Sequence, residues 1–322
     1  MQSKRFEGVY AIAVTPFQDD GRLDVASADH MVEFYRGCGV TGLTILGIMG
    51  EAPKLDTEEA LGFARQVIKR SRDLPVIVGV SSPGFAAMQR LTAGVMDAGA
   101  AGVMIAPPAS TRTDDQIAGY YDQCVAAIGD TVPFVIQDFP QASGVVMSVG
   151  VIQRIVSAHP SCLMLKHEDW PGLEKISALR KLEVDGAMRP ISILTGNGGV
   201  FLDFEMERGA DGANTGYAFP DMLVDVVKMQ KAGQRDAAHD LFDAHLPLMR
   251  YEQQPGPGLA VRKAVLKARG AIASDAQRTP AAKLSAAARR EVAYLLDRLS
   301  ARDPRAKGLG ARVNQELNLK PH

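Results

Sequence analysis

"CLMLKHEDW", residues 162–170, is an apolar run closed by a lysine. Runs this short and this apolar read as strands buried on both faces, the kind found in parallel sheets. Alternate residues of a strand face opposite ways. If Lys166 points to one side, Met164 and Glu168 share that side, while Leu165 and His167 face the other. A lysine ending a strand ordinarily reaches into water. One held in a dry pocket can instead react as a neutral amine.

The same signal recurs along the chain. Apolar, β-branched runs occupy residues 8–17, 41–47, 75–81, 102–108, 133–140, 162–168, 191–197 and 211–218. Between them lie stretches with helical spacing such as "EEALGFARQVIKRS", preceded by Asp56 and Thr57, either of which suits a helix cap. Strands alternating with helices imply a parallel sheet covered on both faces. A doubly wound sheet is the alternative, but no GxGxxG follows the first run. The pattern predicts an α/β fold, a (β/α)8 TIM barrel over residues 6–222. Helices over 223–301 are predicted to pack on it, followed by a loose polar tail at 302–322 that also suits a subunit contact.

The 322 residues carry a formal net charge of −1, which gives nucleic acid or an anionic membrane no electrostatic hold. Cys38, Cys124 and Cys162 are widely spaced, so neither a disulfide framework nor a zinc site is indicated. The opening "MQSKRFEGVY" lacks an apolar signal stretch, and a cytoplasmic protein is expected.

In such a barrel the chemistry gathers where the strands end. Those ends offer "GIMGEAP" (47–53), Gln137, Lys166, Glu168, Thr195, Asn197 and Asn214. Lys166 is the strong nucleophile of the set, and parity brings Glu168 beside it. The turn at Gly50 and Glu51 presents backbone N–H groups to an anion. There is no HExxH, GxSxG or P-loop.

Together, "TPF" (15–17), "GIMGE" (47–51), a proline after the fifth run (Pro140) and a lysine on the sixth (Lys166) resemble the dihydrodipicolinate synthase/N-acetylneuraminate lyase family over about residues 6–300. The resemblance implies a class I aldolase-type barrel in which a lysine, by position Lys166, forms a Schiff base with a 2-oxo acid. No metal or organic cofactor is implied, and a homotetramer is the family's common assembly. The family's strand-two turn usually carries two hydroxyl residues where this chain has Ile48 and Met49. Its strand five usually reads Tyr-Asn-x-Pro, with a proton-shuttling tyrosine; here Gln137-Asp138-Phe139-Pro140 stands instead. Synthases proper also use an arginine after that proline and a tyrosine after strand four, and "QASG" and "PPASTRTDD" supply neither. The 2-keto-3-deoxy-L-arabonate dehydratase branch is similar in Gln-Asp-x-Pro, Lys-x-Glu, Ala218-Phe219-Pro220-Asp221 and "LPLMRYEQQ".

The resemblance therefore implies a lyase acting on a 2-keto-3-deoxy sugar acid by dehydration. A pyruvate-dependent aldolase or a dihydrodipicolinate synthase-type condensation is the alternative, and a non-catalytic 2-oxo acid-binding paralogue the second. Lys166 is expected as nucleophile and Glu168 as the group that moves protons. Gly50, Glu51, Gln137, Thr195, Asn197 and Asn214 are expected to hold the substrate.

Overall fold

The computed structural model describes residues 6–170 and 172–315. Eight strands form a closed parallel barrel in chain order: β1 Gly8–Ile12, β2 Gly42–Ile45, β3 Val76–Gly79, β4 Gly102–Ile105, β5 Phe134–Asp138, β6 Cys162–His167, β7 Ser192–Thr195 and β8 Gly212–Thr215. Each apolar run of the sequence supplies one of them. Pairing of β1 with β8 closes the sheet and excludes the doubly wound alternative.

The intervening helices are α1 Val25–Gly37, α2 Thr57–Ser71, α3 Phe85–Asp97, α4 Asp114–Ile128, the short α5 Pro140–Ser143, α6 Val149–Ala158, α7 Leu173–Val184 and α8 Leu202–Glu207. Local chemistry sets where several begin. Asp56, not Thr57, caps α2, and with Glu59 it completes a capping box; Thr113 and Gln116 do the same for α4.

Side-chain alternation splits the core in two. Tyr10, Ile77, Met104, Val135, Met164 and Leu194 fill the barrel interior. Leu43, Ile45, Val78, Val103, Leu165 and Ile193 face outward into a larger core shared with the helices. The lysine strand obeys the expected parity, because its neighbours Met164 and Leu165 lie in the inner and outer cores respectively.

After β8 come α9 Pro220–Lys231, α10 Arg235–Glu252, α11 Gly258–Ala268, α12 Ala286–Ser300 and α13 Leu309–Gln315. Helix α9 packs on β1 and β8 and is the eighth barrel helix, so the boundary expected at 222 falls inside it. Residues 302–315 are not the loose tail expected from their polarity. Asp303 caps a short 3-10 turn, and Leu309 and Val313 are buried as α13 packs on α11 and α12. Residues 316–322 lie outside the described residues.

Buried polar contacts fasten this helical addition to the barrel. Tyr217 after β8 bonds His245 Nδ1 at 2.9 Å, and His245 Nε2 meets Asp303 at 2.7 Å. Arg262 of α11 pairs with Glu252 at the end of α10, whose other oxygen accepts the Ala218 N–H. No described helix is long and apolar enough to cross a membrane.

Candidate active site

Lys166 projects into the barrel near the C-terminal end of β6, about 5% exposed. Its Nζ lies 2.8 Å from Glu168 Oε2, as parity predicts. That oxygen also accepts a 2.8 Å hydrogen bond from Gln137 Nε2 on β5, whose Cα partner across the sheet is Lys166. The other oxygen, Oε1, accepts the backbone N–H of Asn197 at 3.2 Å. Glu168 is thus held by three donors from three strand ends.

The space for its carboxylate is left by Gly196. A Cβ there would lie 2.3 Å from Glu168 Cγ, so any other residue would push the acid aside. Asn197 itself sits in the left-handed region, φ 52°, a conformation that L-residues adopt at a cost.

The register shows what shares the height of Lys166. Lys166 pairs with Leu194 and Leu194 with Gly212, and in a tilted barrel the residue two further along β8, Asn214, occupies the same layer. The same step leads through Tyr10 and Gly42 to Thr44, and through Ile77 and Gly102 to Met104. One further step, through Val135 and Met164, returns to Lys166. Lys166, Asn214, Thr44 and Met104 therefore form one layer of four. The Asn214 amide and the Thr44 hydroxyl in it are buried with no partner in the fold, whereas buried polar atoms are ordinarily satisfied. They are polar groups offered to whatever occupies the barrel mouth.

Four expected substrate contacts are placed differently. Thr195 pairs with the outward residues His167 and Ala213, so it faces away from the barrel mouth. Its hydroxyl donates to the Gly212 carbonyl at 3.4 Å and lies close enough to the Glu205 carboxyl on α8 to influence it. Glu51, also left-handed at φ 54°, turns its carboxylate to Lys263 of α11 at 2.6 Å, to Lys54 at 2.8 Å and to the Arg278 N–H. Gly50 spends its N–H on Gly47 and its carbonyl on the Thr15 hydroxyl. Ile48 and Met49 open a short 3-10 turn, and among the described residues their N–H groups meet no backbone acceptor. Asn197 meets Glu168 through its backbone, because its side-chain oxygen is taken by Gln253.

The outward neighbours form a separate set. Asp138 and His167 lie fully buried behind the site, with Lys175 2.8 Å from Asp138 and 2.7 Å from Asp169. His167 Nε2 lies 3.2 Å from the Gly172 carbonyl, so its ring serves the loop after β6. Thr44 and Gln253 were missed by sequence reasoning. A polar residue at the inward position of "TGLTILG" was the available signal for Thr44; for Gln253 it was its place in "LPLMRYEQQ", which carried a resemblance but no role.

Two stability effects follow from the surroundings of the site. Lys263 is fully buried, burial pushes its ammonium below the ordinary lysine range, and the Glu51 carboxylate opposes that shift. Glu51→Ala leaves that ammonium without its counter-charge, so urea unfolding should show a loss of about 3–5 kcal/mol. An unchanged midpoint would contradict it.

Behind β7, burial pushes the Glu205 carboxyl up to about 8; the Thr195 hydrogen bond opposes the shift, while Asp203 and Glu168 add to it. Between an unfolded value near 4.5 and a folded one near 8, the folded chain keeps a proton that the unfolded chain has released. Stability therefore falls as pH rises through that window and levels off above it. Glu205→Gln should raise the melting temperature above about pH 8 and flatten its decline with pH. A parallel curve would contradict this.

Residues 5–299 match the Dihydrodipicolinate synthetase family. The chain belongs to that family. It is 63% identical to the dihydrodipicolinate synthase of Rhodopseudomonas palustris, whose crystal structure superposes with a TM-score of 0.90 over 91% of this chain and 97% of that one. It is 29% identical to the L-2-keto-3-deoxyarabonate dehydratase of Azospirillum brasilense, over 92% of this chain and 95% of the relative. A 4-hydroxy-tetrahydrodipicolinate synthase of Bifidobacterium longum is 27% identical over 87% and 90%. A dehydratase and synthases are thus both among the relatives of this chain.

Proposed function

We propose that the protein is a Schiff-base-forming lyase that dehydrates a 2-keto-3-deoxy sugar acid, with Lys166 as nucleophile and Glu168 as the proton-transfer group. The observation that carries this reading is the buried Lys166–Glu168 contact with Gln137 on the same carboxylate. Where a phenol would shuttle a proton, an amide cannot. The carboxylate beside the amine is the group left to do so.

The steps follow from that placement. Lys166 passes a proton to Glu168 and attacks C2 of the substrate. Glu168 returns that proton to the carbinolamine hydroxyl, and loss of water gives an iminium, which acidifies the C3 hydrogens. Glu168 removes one of them, leaving an enamine, and the enamine expels the C4 hydroxyl as water with a proton returned by the acid. The Ile48 and Met49 N–H groups receive the substrate carboxylate at the strand-two turn. Asn214 and Thr44, unpartnered within the protein, take hydroxyl or carbonyl oxygens near the amine. The lysine is the electron sink, so the scheme calls for no metal or organic cofactor.

Its partners in this reading are small 2-oxo acids, in a cytoplasmic homotetramer. Light scattering at micromolar concentration checks the assembly.

A pyruvate-dependent condensation or aldol cleavage is the second reading, favoured by the synthase name of the 63%-identical structure. A silent 2-oxo acid-binding paralogue is the third. Product analysis separates them. With 2-keto-3-deoxy-L-arabonate, dehydration yields a five-carbon dioxo acid, whereas C3–C4 cleavage yields pyruvate and glycolaldehyde. Proton NMR showing the latter pair would overturn the dehydratase reading, and a captured but unconverted substrate would favour the paralogue.

A further inference from the structure

The end of α10 reaches the site from outside the barrel. Gln253, the residue that caps that helix, donates from Nε2 to Asn197 Oδ1 at 3.1 Å, and the Asn197 N–H holds Glu168 Oε1. Gly198 makes room for it: a Cβ there would come within 2.3 Å of Gln253 Cδ, and its own φ of 68° suits glycine. The helix end is fixed in turn by Glu252, which pairs with buried Arg262 and accepts the Ala218 N–H. A backbone in the left-handed region relaxes unless its surroundings hold it there. Asn197 is so held, with Gln253 bonding its side chain.

We propose that Gln253 is a positioning residue for proton transfer: through Asn197 it sets which way the Glu168 carboxylate faces, so that the C-terminal helices act on the chemistry at Lys166. The inference rests on the Schiff-base reading above. Gln253 touches no reacting atom. With Asn197 fixed, Oε1 is anchored to a backbone donor and Oε2 stays turned towards Lys166. Without the Gln253 bond, the segment 196–198 loses a restraint, and the carboxylate can rotate away from C3.

The test is hydrogen–deuterium exchange at C3 of pyruvate in D2O, followed by NMR, which reads deprotonation without requiring the natural substrate. Borohydride capture of pyruvate on Lys166 is measured in parallel. Gln253→Met keeps the length of the side chain and its packing over Gly198 but removes the donor. It should slow exchange about tenfold while capture and melting temperature stay unchanged. Gln253→Glu should restore most of the rate, because Asn197 can turn its amide to donate. In a Glu168→Gln background, Gln253→Met should have no further effect, since both act through one carboxylate. An equal tenfold loss in both backgrounds, or no loss in either, overturns the proposal. Wild-type protein that captures neither pyruvate nor 2-keto-3-deoxy-L-arabonate overturns the Schiff-base reading itself, a result distinct from capture with additive mutant effects.

Discussion

Lys166→Met will abolish borohydride-dependent capture of a 2-oxo acid and reduce turnover by more than about 10⁴-fold, the scale seen when a covalent nucleophile is removed. Methionine matches the length and apolar stem of lysine, so the inner core around Met164 and Leu194 should keep its packing. Glu168 would lose its cation but keep the Gln137 and Asn197 donors. The measurement is steady-state turnover beside intact-mass analysis after reduction, with melting temperature as the control for folding. Retained turnover would mean that another group does the chemistry. The described residues offer no rival in the same layer, where Asn214, Thr44 and Met104 are not nucleophiles of comparable strength.

Glu168→Gln separates proton transfer from attachment. General acid–base catalysis is worth about 10²–10⁴-fold, and a fall of that size is expected in dehydration and in C3 exchange. Capture on Lys166 should persist, because the amine keeps its pocket while losing the carboxylate that neighbours it at 2.8 Å. The glutamine has the same shape, so Gly196 still accommodates it. Full turnover in this variant would remove Glu168 from the mechanism and leave Lys166 standing. Capture lost together with turnover would instead make Glu168 necessary for forming the iminium.

The barrel was legible because eight apolar runs of the right length were separated by capped helical segments, and closure left few other arrangements. That Lys166 and Glu168 lie side by side was legible for a related reason. Residues on one strand or its paired neighbour obey parity, so identity and facing can be read together. Thr195 was misplaced because its position at a strand end was counted and its parity was not. Paired with His167, it had to face the helices. Glu51 was misread because its partner, Lys263, lies far along the chain on a helix whose docking no local pattern reveals. The tail at 302–315 looked loose for the same kind of reason. Its few apolar residues gain their burial only once α11 and α12 are in place. Gln253 stood in the sequence only as part of "LPLMRYEQQ", with no role attached, since its bond to Asn197 spans 56 residues of sequence.

The most direct test of the account is borohydride reduction in the presence of pyruvate or 2-keto-3-deoxy-L-arabonate, followed by peptide mass spectrometry of the folded protein. The account predicts one covalent adduct, carried by the peptide containing residues 162–170 and located on Lys166. An adduct on another lysine, or none with either compound while the protein remains folded, would contradict it.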